Sequence, residues 1–466
     1  MRLFPSVRLA SLLLVLMLTI SGFTARAAAA GKAVPKNVDA SELAGNEGET
    51  AVAINQLHPN QLTIVTNLGS ASGLFHAWSG DSGRTWNHDI IFPGACCDGQ
   101  LASDEFGNIF LVYLSGNILV SMAISTDGGA SFQSLPFVAT DVGVPKIPFR
   151  SLAPSGKAVG GDQPSIAAAK GSVWVSWTGN NGIIQTSAAS VTGLGQVGTF
   201  SPPQGLPGPH NVGDYGDIAI GPQGQVFVVY QNPTGGEGPA TIYGALDPDG
   251  LGPQGFQPPQ TLQMTNVGGF DYIPAQSGRS IDAEAGLVWD RTGGAHNGRL
   301  YLIYLSEEPQ ESNDTDVQLR FSDDNGATWS NSLRVNDDAT TNSQFNPRIS
   351  LDPTTGNVAI AWEDCRNDRG NHGPGDTNGV PNDDAMMYVT LSRNGGASFL
   401  PNKRLSAGAS NDNDAANGVD YGDYGGFMFY GGNLYYASAD NSNSTHTNPD
   451  GKLSHFDIYT QPVHVQ

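Results

Sequence analysis

Apolar and polar positions along the chain alternate as pairs of short strands, each pair separated by a turn. The second member of each pair is rich in aromatic and β-branched residues, as strands in the centre of a sheet are. After residue 27, no segment of useful length has the period of an amphipathic helix. Seven pairs occur at intervals of roughly 50 to 75 residues: 50–54 with 61–65, 100–102 with 109–113, 165–168 with 173–177, 217–220 with 226–230, 285–289 with 300–304, 348–351 with 358–362, and 426–429 with 434–437.

This spacing predicts an all-β chain folded as a single β-propeller of seven blades. A blade of four strands takes ~40–50 residues, and the excess in each interval would form loops. The last unit ends after a third strand near residues 456–459, whereas residues 32–35 resemble the outer strands 333–336 and 403–406. We therefore expect residues near 32–40 to supply the fourth strand of the last blade, which removes an exposed sheet edge. The alternative is a propeller of six blades, in which one of the seven strand pairs belongs to an insertion and not to a blade.

Four segments share the form Ser-x-Asp/Asn-x-Gly-x-Thr/Ser-aromatic, and we call them the box segments. The Asp or Asn side chain can accept hydrogen bonds from backbone amides ahead of it, and the glycine can adopt a positive φ. Each segment therefore predicts a β-hairpin with its own internal brace. The segments are 79–86, 125–132, 322–329 and 392–399, and their bracing residues are Asp81, Asp127, Asp324 and Asn394.

The box segments resemble the Asp-box, or BNR repeat, of the sialidase-like β-propellers. The resemblance covers nearly the whole chain after residue 27 as architecture, and it implies that the boxes are structural and lie away from the catalytic face. Six blades is the usual number in sialidases.

The same resemblance implies a catalytic set to look for. Exo-sialidases hold the substrate carboxylate with three arginines and use a tyrosine nucleophile helped by a glutamate, with an aspartate as acid/base. The first of these arginines normally precedes the first box in a Phe/Tyr-Arg-Ile-Pro motif, but here no arginine occurs between Arg26 and Arg84. The motifs therefore do not support sialidase catalysis. The remaining candidates for the set are Arg279, Arg348, Arg366, Tyr215 and Tyr421.

The first 27 residues have the pattern of a secretory signal peptide. Arg2 and Arg8 precede an apolar run over residues 9–20, and small residues stand at 25 and 27. The run is shorter than the ~20 residues that a membrane-spanning helix needs. We expect cleavage near Ala27, a mature domain over residues 28–466, and a secreted protein, periplasmic in a Gram-negative cell.

The charge balance restricts the partners. The chain has 22 basic and 44 acidic residues, and loss of Arg2, Arg8 and Arg26 with the signal leaves 19 basic residues and a net charge of −25. Such a surface repels nucleic acids and anionic membranes, and a polyanionic ligand would need a local cluster of arginines. We expect a monomer whose partner is a glycan or glycoconjugate. Bound Ca²⁺ would reduce the repulsion.

Three cysteines, Cys96, Cys97 and Cys365, would meet an oxidising environment after export. One of the adjacent pair could bridge to Cys365, the pair could form a disulfide with each other, or all three could be buried thiols.

Acidic and amide residues stand just before the predicted inner strands, where a propeller would place them around one mouth of its channel. They are Glu47, Glu49, Asp98, Asp162, Asp214, Asp217, Asp282, Asn346, Asp420 and Asp423. Ligand sites commonly occupy such a mouth, although each side chain could instead cap a turn between blades. We predict a ligand site formed by Asp214, Tyr215, Asp282, Arg348, Arg366, Asp420 and Tyr421.

Residues 362–366 resemble a Trp-x-Asp-x-Arg pattern of secreted BNR-repeat proteins. Arg366 could clamp a ligand carboxylate or pair with Asp364. The following insert, 367–384, is rich in oxygen ligands of the kind that Ca²⁺ prefers, although a plain loop is the alternative. Its candidate metal ligands are Asp368, Asp376 and Asp383.

Two classes of function therefore stay open. One is a secreted propeller that binds a glycan without catalysis, and the other is a glycoside hydrolase, of exo-alpha-sialidase type or acting on another sugar. Three arginines beside a tyrosine and a glutamate would favour the enzyme. A mouth lined with aspartates and aromatic rings alone would favour binding of a glycan or Ca²⁺.

Overall fold

Seven antiparallel sheets follow one another along the chain. The structure is a computed structural model that describes residue 1 and residues 36–69, 73–116, 118–137, 161–412 and 421–465, so all of the expected signal peptide except Met1 lies outside the described residues. In the described ranges the one helical element is a 3₁₀ turn, Asn180–Gly182. Among those same residues, no helix has the length and hydropathy to cross a membrane.

A short strand, β1 (Val38–Asp39), precedes the first four blades. From the inner to the outer edge, their strands are β2 (Glu47–Ile54), β3 (Leu62–Leu68), β4 (Leu74–Ser79) and β5 (Asn87–Ile91) in blade 1; β6 (Ala95–Ser103), β7 (Ile109–Ser115), β8 (Val120–Ser125) and β9 (Gln133–Ser134) in blade 2; β10 (Asp162–Ala169), β11 (Ser172–Thr178) and β12 (Ile184–Gly193), with both β13 (Gln196–Val197) and β14 (Gln204–Gly205) paired to β12, in blade 3; and β15 (Asp214–Ile220), β16 (Val226–Asn232), β17 (Ala240–Asp247) and β18 (Gln260–Thr265) in blade 4.

A two-stranded ribbon separates blade 4 from the last three blades, and it consists of β19 (Asp271–Ile273) and β20 (Gln276–Ile281). The remaining strands are β21 (Gly286–Trp289), β22 (Leu300–Glu307), β23 (Thr315–Ser322) and β24 (Leu333–Arg334) in blade 5; β25 (Gln344–Leu351), β26 (Val358–Asp364), β27 (Asp384–Ser392) and β28 (Lys403–Arg404), with β29 (Ser410–Asn411) also paired to β27, in blade 6; and β30 (Gly426–Tyr430), β31 (Asn433–Asp440) and β32 (Asp457–His464) in blade 7.

The two ends of the chain close the ring. Strand β1 pairs antiparallel with β32, with Val38 opposite Thr460 and Asp39 opposite Tyr459. Each inner strand also contacts the next, and β30 contacts β2. The prediction of seven blades closed by residues within 32–40 is confirmed, and the six-bladed alternative is excluded.

The second strand of each blade lies between two neighbouring blades, which explains its continuous apolar sequence. In β7, residues 109–114 are all buried, and Tyr301 in β22 and Trp362 in β26 are among the largest fully buried side chains. Because successive side chains of a strand point to opposite faces, burial on both faces favours apolar residues at successive positions, and the polar residues that remain, such as Thr66 and Ser176, are themselves buried.

The box segments form the hairpin turns that the sequence predicts. In the first, Asp81 accepts hydrogen bonds from the Arg84 and Thr85 amides at 3.1 and 2.9 Å and from Thr85 Oγ1 at 2.8 Å. In the fourth, Asn394 accepts one from the Ser398 amide at 3.0 Å. An asparagine therefore closes the same turn.

Glycines of the box segments also set the distance between blades. A Cβ added to Gly129 in blade 2 would lie 2.6 Å from Thr63 Cβ in blade 1, and one added to Gly326 in blade 5 would lie 2.4 Å from Phe227 in blade 4. Both glycines have positive φ, 90° and 85°. The box segments are thus contacts between blades as well as turns within them.

The antiparallel order separates the two faces of the propeller. The box segments follow the third strands, at the same end as the C-termini of the inner strands. The ribbon and the insert over residues 365–383 lie at the opposite end, where the inner strands begin. We call that end the mouth of the channel.

The structure decides among the pairings that the sequence leaves open for the three cysteines. Cys96 and Cys97 form a disulfide with each other in β6, and Cys365 is buried with a free thiol. The bridge to Cys365 that the sequence left open is not formed.

Replacing the bracing carboxylate of a box segment should destabilise the fold. Asp81→Ala removes an acceptor for two amides, and we expect the free energy of unfolding to fall by about 1–2 kcal/mol, as on loss of a cap residue. Asp81→Asn is the matched control, because Asn394 already closes the fourth segment. Urea unfolding of both variants measures the difference, and equal losses would contradict the assignment.

Candidate functional site

Most inner strands have a β-bulge close to the mouth. At this point the backbone holds a polar or aromatic residue with a positive φ. Five inner strands have a register shift at this point, in blades 1, 2, 3, 4 and 6. In six blades a residue other than glycine has a positive φ here: Glu49 (56°), Asp98 (57°), Gln163 (44°), Tyr215 (52°), Glu284 (48°) and Asn346 (51°).

Such backbone conformations cost of order 1–3 kcal/mol each and concentrate at functional sites. The register shifts also change where these residues stand relative to the predicted inner strands. The bulge adds a residue to the inner strand, so Glu49, Asp98 and Tyr215 lie inside strands β2, β6 and β15 rather than before them.

A single guanidinium group joins residues from distant blades. Arg279 in β20 donates from Nη2 to Glu49 Oε1 at 2.8 Å, and from Nε and Nη2 to the Asp423 carboxylate at 2.9 and 2.6 Å. Gln163 in blade 3 donates from Nε2 to Asp423 Oδ2 at 2.7 Å. The Arg279 side chain therefore joins the ribbon to blade 1, to the segment before blade 7 and, through Asp423, to blade 3.

Asn67 holds the acidic residues of blades 1 and 2 in place. Its Oδ1 accepts a hydrogen bond from the Asp98 amide at 3.0 Å, and its Nδ2 donates to the Glu49 carboxylate. Sequence reasoning missed Asn67 because it lies at the end of a second strand, where no repeated motif marks it.

Seven carboxyl groups interact electrostatically around this point, and we call them the mouth carboxyl groups. They are Glu49, Asp98, Asp162, Asp214, Asp282, Glu284 and Asp423. Burial, which disfavours the ionised form, is the main cause that raises the pKa of Glu49, Asp98, Asp162, Asp214, Asp282 and Glu284 above the ordinary range. The predicted ligand residues Asp214, Asp282 and Tyr215 therefore do converge here.

Two neighbouring mouth carboxyl groups have different affinities for a proton. Burial and the Asp423 charge raise the pKa of Asp162 to about 6. Burial and the Glu49 and Asp162 charges raise the pKa of Asp98 well above its usual range. A hydrogen bond from Asp98 stabilises ionised Asp162. These pKa shifts and the hydrogen bond favour a proton on Asp98 and a negative charge on Asp162.

Glu284 is a mouth residue that the sequence prediction did not name. Its side chain is buried, and neither carboxylate oxygen has a hydrogen-bond partner of normal geometry among the described residues. Burial and Asp282 raise its pKa, opposed by Arg348 and the Asn346 amide. The pattern Asp282-Ala283-Glu284 matches Glu47-Gly48-Glu49 and is the signal that could have identified it.

Two other predicted residues have structural contacts nearby. Asp217 accepts hydrogen bonds from the Leu287 amide at 2.8 Å and the Ile218 amide at 2.7 Å, so it joins blade 4 to blade 5. Arg348 donates to the Gly425 carbonyl at 3.0 Å and lies over the Tyr424 ring at 5.4 Å from its centroid. Arg348 also acts electrostatically on Asp282 and Glu284, so it belongs to the mouth.

Arg366 and Tyr421 do not join the other predicted residues. Arg366 donates to Asp364 at 2.9 Å and Asp337 at 2.7 Å and lies over the Tyr388 ring, so it braces its own loop. Tyr421 is buried against Phe345 and Phe456, with ring centroids 5.3 and 4.8 Å away. These contacts give both side chains partners other than the mouth carboxyl groups, and Asp420 lies outside the described residues.

The predicted Ca²⁺ ligands fall into two groups. Carboxylate oxygens of Asp368, Asp383 and Asp384 lie within 4.8 Å of one another. Asp376 instead accepts hydrogen bonds from the amides of the turn it closes, including those of His372 at 2.7 Å and Gly379 at 2.6 Å. Binding of Ca²⁺ by this insert stays a prediction.

Similar solved structures include several propellers. The α-L-arabinanase of Penicillium chrysogenum is 16% identical, with 76% of this chain and 97% of that chain covered at a TM-score of 0.44. The phage phi92 endosialidase is 12% identical (93% and 69% covered, TM-score 0.45), and the Trypanosoma rangeli sialidase is 10% identical (89% and 54% covered, TM-score 0.42). No family model and no curated protein matches the chain.

The resemblance to the sialidase-like propellers holds for the architecture. That conclusion rests on the strand pairing and the box turns of this chain. At such identities and scores, the similar structures say nothing about what this chain binds or does.

The mouth carboxyl groups should make stability depend on pH. A carboxyl group whose pKa is raised by folding stabilises the native state below its unfolded pKa of about 4, and this contribution is lost as pH rises through the native pKa. Because burial raises the pKa of Asp162 to about 6 and of Glu49 to about 7, the free energy of unfolding should fall from about pH 4 to about pH 7.

Urea midpoints across this range measure the dependence. The double variant Asp162→Asn with Glu49→Gln should show a smaller decrease than the wild type, since neither amide titrates. A midpoint that increases with pH in the wild type would be the opposite of what raised pKa values require.

Proposed function

We propose that the chain binds a neutral glycan at the mouth of its channel. The observation that carries this proposal is the excess of carboxyl groups there: seven mouth carboxyl groups surround two arginines, Arg279 and Arg348. Carboxyl and amide groups accept and donate hydrogen bonds to sugar hydroxyls, and a ligand site needs a few such convergent groups. Asp162, Gln163 and Tyr215 are partly exposed and available to a ligand.

The charge of the mouth argues against an acidic sugar. A sialic or uronic acid carboxylate would approach several carboxyl groups, and like charges at such an interface are unfavourable. Arg279 is already paired with Glu49 and Asp423, and Arg366 braces a loop elsewhere. Among the described residues, no set of three arginines is available to hold a ligand carboxylate.

A glycan array tests the proposal directly. We expect retention of neutral glycans and not of sialosides, and Asp162→Asn should weaken binding of the retained glycans about tenfold, the effect of losing ~1.4 kcal/mol. The matched control is Glu105→Gln, which removes an exposed charge on the opposite face and keeps the acceptor for the Gly171 amide. Retention of sialosides, lost in Arg279→Ala, would instead support the sialidase alternative.

Glycoside hydrolysis is the second candidate, favoured by the neighbouring Asp98 and Asp162. A protonated and an ionised carboxyl group in one site are what acid and base roles in glycoside cleavage require. In this scheme Asp98 would donate a proton to the leaving oxygen, and Asp162 would act as the base or nucleophile.

Hydrolysis, if present, should depend on pH through this pair. The rate should rise through about pH 6, because burial and Asp423 raise the pKa of Asp162 to about 6 and only its ionised form serves as base. Asp98→Asn should lower the rate at least about a hundredfold while glycan binding persists. Release of reducing ends from neutral polysaccharides measures both effects. Binding without any release leaves the chain a lectin-like propeller.

A further inference from the structure

The ribbon between blades 4 and 5 reaches the mouth and extends beyond it. On its inner side, Arg279 binds Glu49 and Asp423, and Gln276 Nε2 donates to the Gly422 carbonyl at 3.0 Å. On its outer side, Tyr272 points to solvent between two buried neighbours, Asp271 and Ile273.

The exposed aromatic rings of the chain are concentrated on this ribbon segment. Of the phenylalanine, tyrosine and tryptophan side chains in the described ranges, only Phe270 and Tyr272 are exposed, at 37% and 49%. They stand two residues apart. Exposed aromatic rings beside a polar site are a feature of ligand surfaces rather than of folding cores.

The Phe270 ring is continuous with the mouth. Phe270 contacts Tyr215 edge to face, with centroids 6.1 Å apart and planes at 86°. Tyr215 in turn lies among Asp162, Asp214 and Asp423, whose charges raise its pKa after the larger effect of burial. A path of aromatic surface therefore leads from the mouth carboxyl groups outward.

The base of the ribbon is fixed by close backbone packing. A Cβ on Gly238 would lie 1.9 Å from the Asn266 carbonyl oxygen, and one on Gly268 would lie 2.0 Å from that of Gly236. The Phe270 amide donates to the Gly236 carbonyl at 3.0 Å. Buried Asp271 accepts from the Gly268 amide at 2.9 Å. These contacts fix the backbone that carries Phe270 and Tyr272, so less conformational entropy is lost when a ligand binds.

We propose that Phe270 and Tyr272 form an outer sugar subsite, so that the ligand is a neutral oligosaccharide of at least two units. This inference rests on the proposed function of the mouth. The first unit binds among the mouth carboxyl groups, and the next units place their apolar C–H faces on the two rings. Burial of apolar surface against aromatic rings supplies affinity without further charge.

The test uses gluco-, manno- and xylo-oligosaccharides from monosaccharide to tetrasaccharide, titrated by calorimetry. In the wild type, affinity for at least one series should increase about tenfold from the monosaccharide to the trisaccharide. Phe270→Ala with Tyr272→Ala should abolish this increase and leave monosaccharide affinity unchanged. Tyr272→Phe should keep it, because the ring remains. Leu251→Ala, which truncates an exposed apolar side chain on the opposite face, is the matched control.

Each remaining result has a defined meaning. Affinity that is independent of length in the wild type, or an increase that survives in the double alanine variant, overturns the subsite while the mouth proposal stands. Absence of any wild-type binding to all three series and to a glycan array overturns both. Because both side chains are exposed, the variants should retain the wild-type melting temperature. If the double variant is less stable, Tyr272→Ala, which removes only the more exposed ring, should still reduce the increase with length, and an unchanged increase would overturn the subsite.

Discussion

The mouth of this propeller depends on the ion pairs of Arg279. Inner strands from around the ring direct carboxyl groups to one end of the channel, where burial makes each negative charge costly. The guanidinium of Arg279 binds two of these groups, Glu49 and Asp423, and reaches them from a ribbon that belongs to neither blade. Removing this cation would leave buried charges without compensation, which costs more than the pair itself contributes. The ribbon is therefore part of the site and not an appendage.

The mouth also concentrates features that folding alone would avoid. Six residues other than glycine have positive φ near the mouth, five of them at bulges, and Glu284 keeps a buried carboxyl group without a hydrogen-bond partner of normal geometry among the described residues. Elsewhere the chain follows local rules closely: second strands are predominantly apolar, and box segments close their turns with the expected side chains. Where strain and desolvation coincide in an otherwise regular fold, a ligand is the usual reason. This contrast supports placing the binding site here.

Much of this architecture could be predicted from the sequence. Alternation and turn chemistry are local, so seven strand pairs, four box turns and even the short outer strand β28 (Lys403–Arg404) could be identified. The positions of individual side chains could not be predicted from the sequence. Arg366 follows a second strand and Tyr421 precedes an inner strand in sequence, yet an ion pair with Asp364 and packing on Phe456 give them partners other than the mouth carboxyl groups. The role of the ribbon in bringing Arg279 to Glu49 is a long-range effect that no local pattern encodes.

The pairing of β1 with β32 has a consequence for how the chain reaches its native state. The two strands are far apart in the sequence, so the ring cannot close until β32 has been synthesised. Before that moment blade 7 has an open edge, and unpaired edges promote association between chains. Contacts of such high sequence separation also make folding slow. Until β32 is available, β1 has no strand to pair with, and blade 7 lacks both of its outer strands.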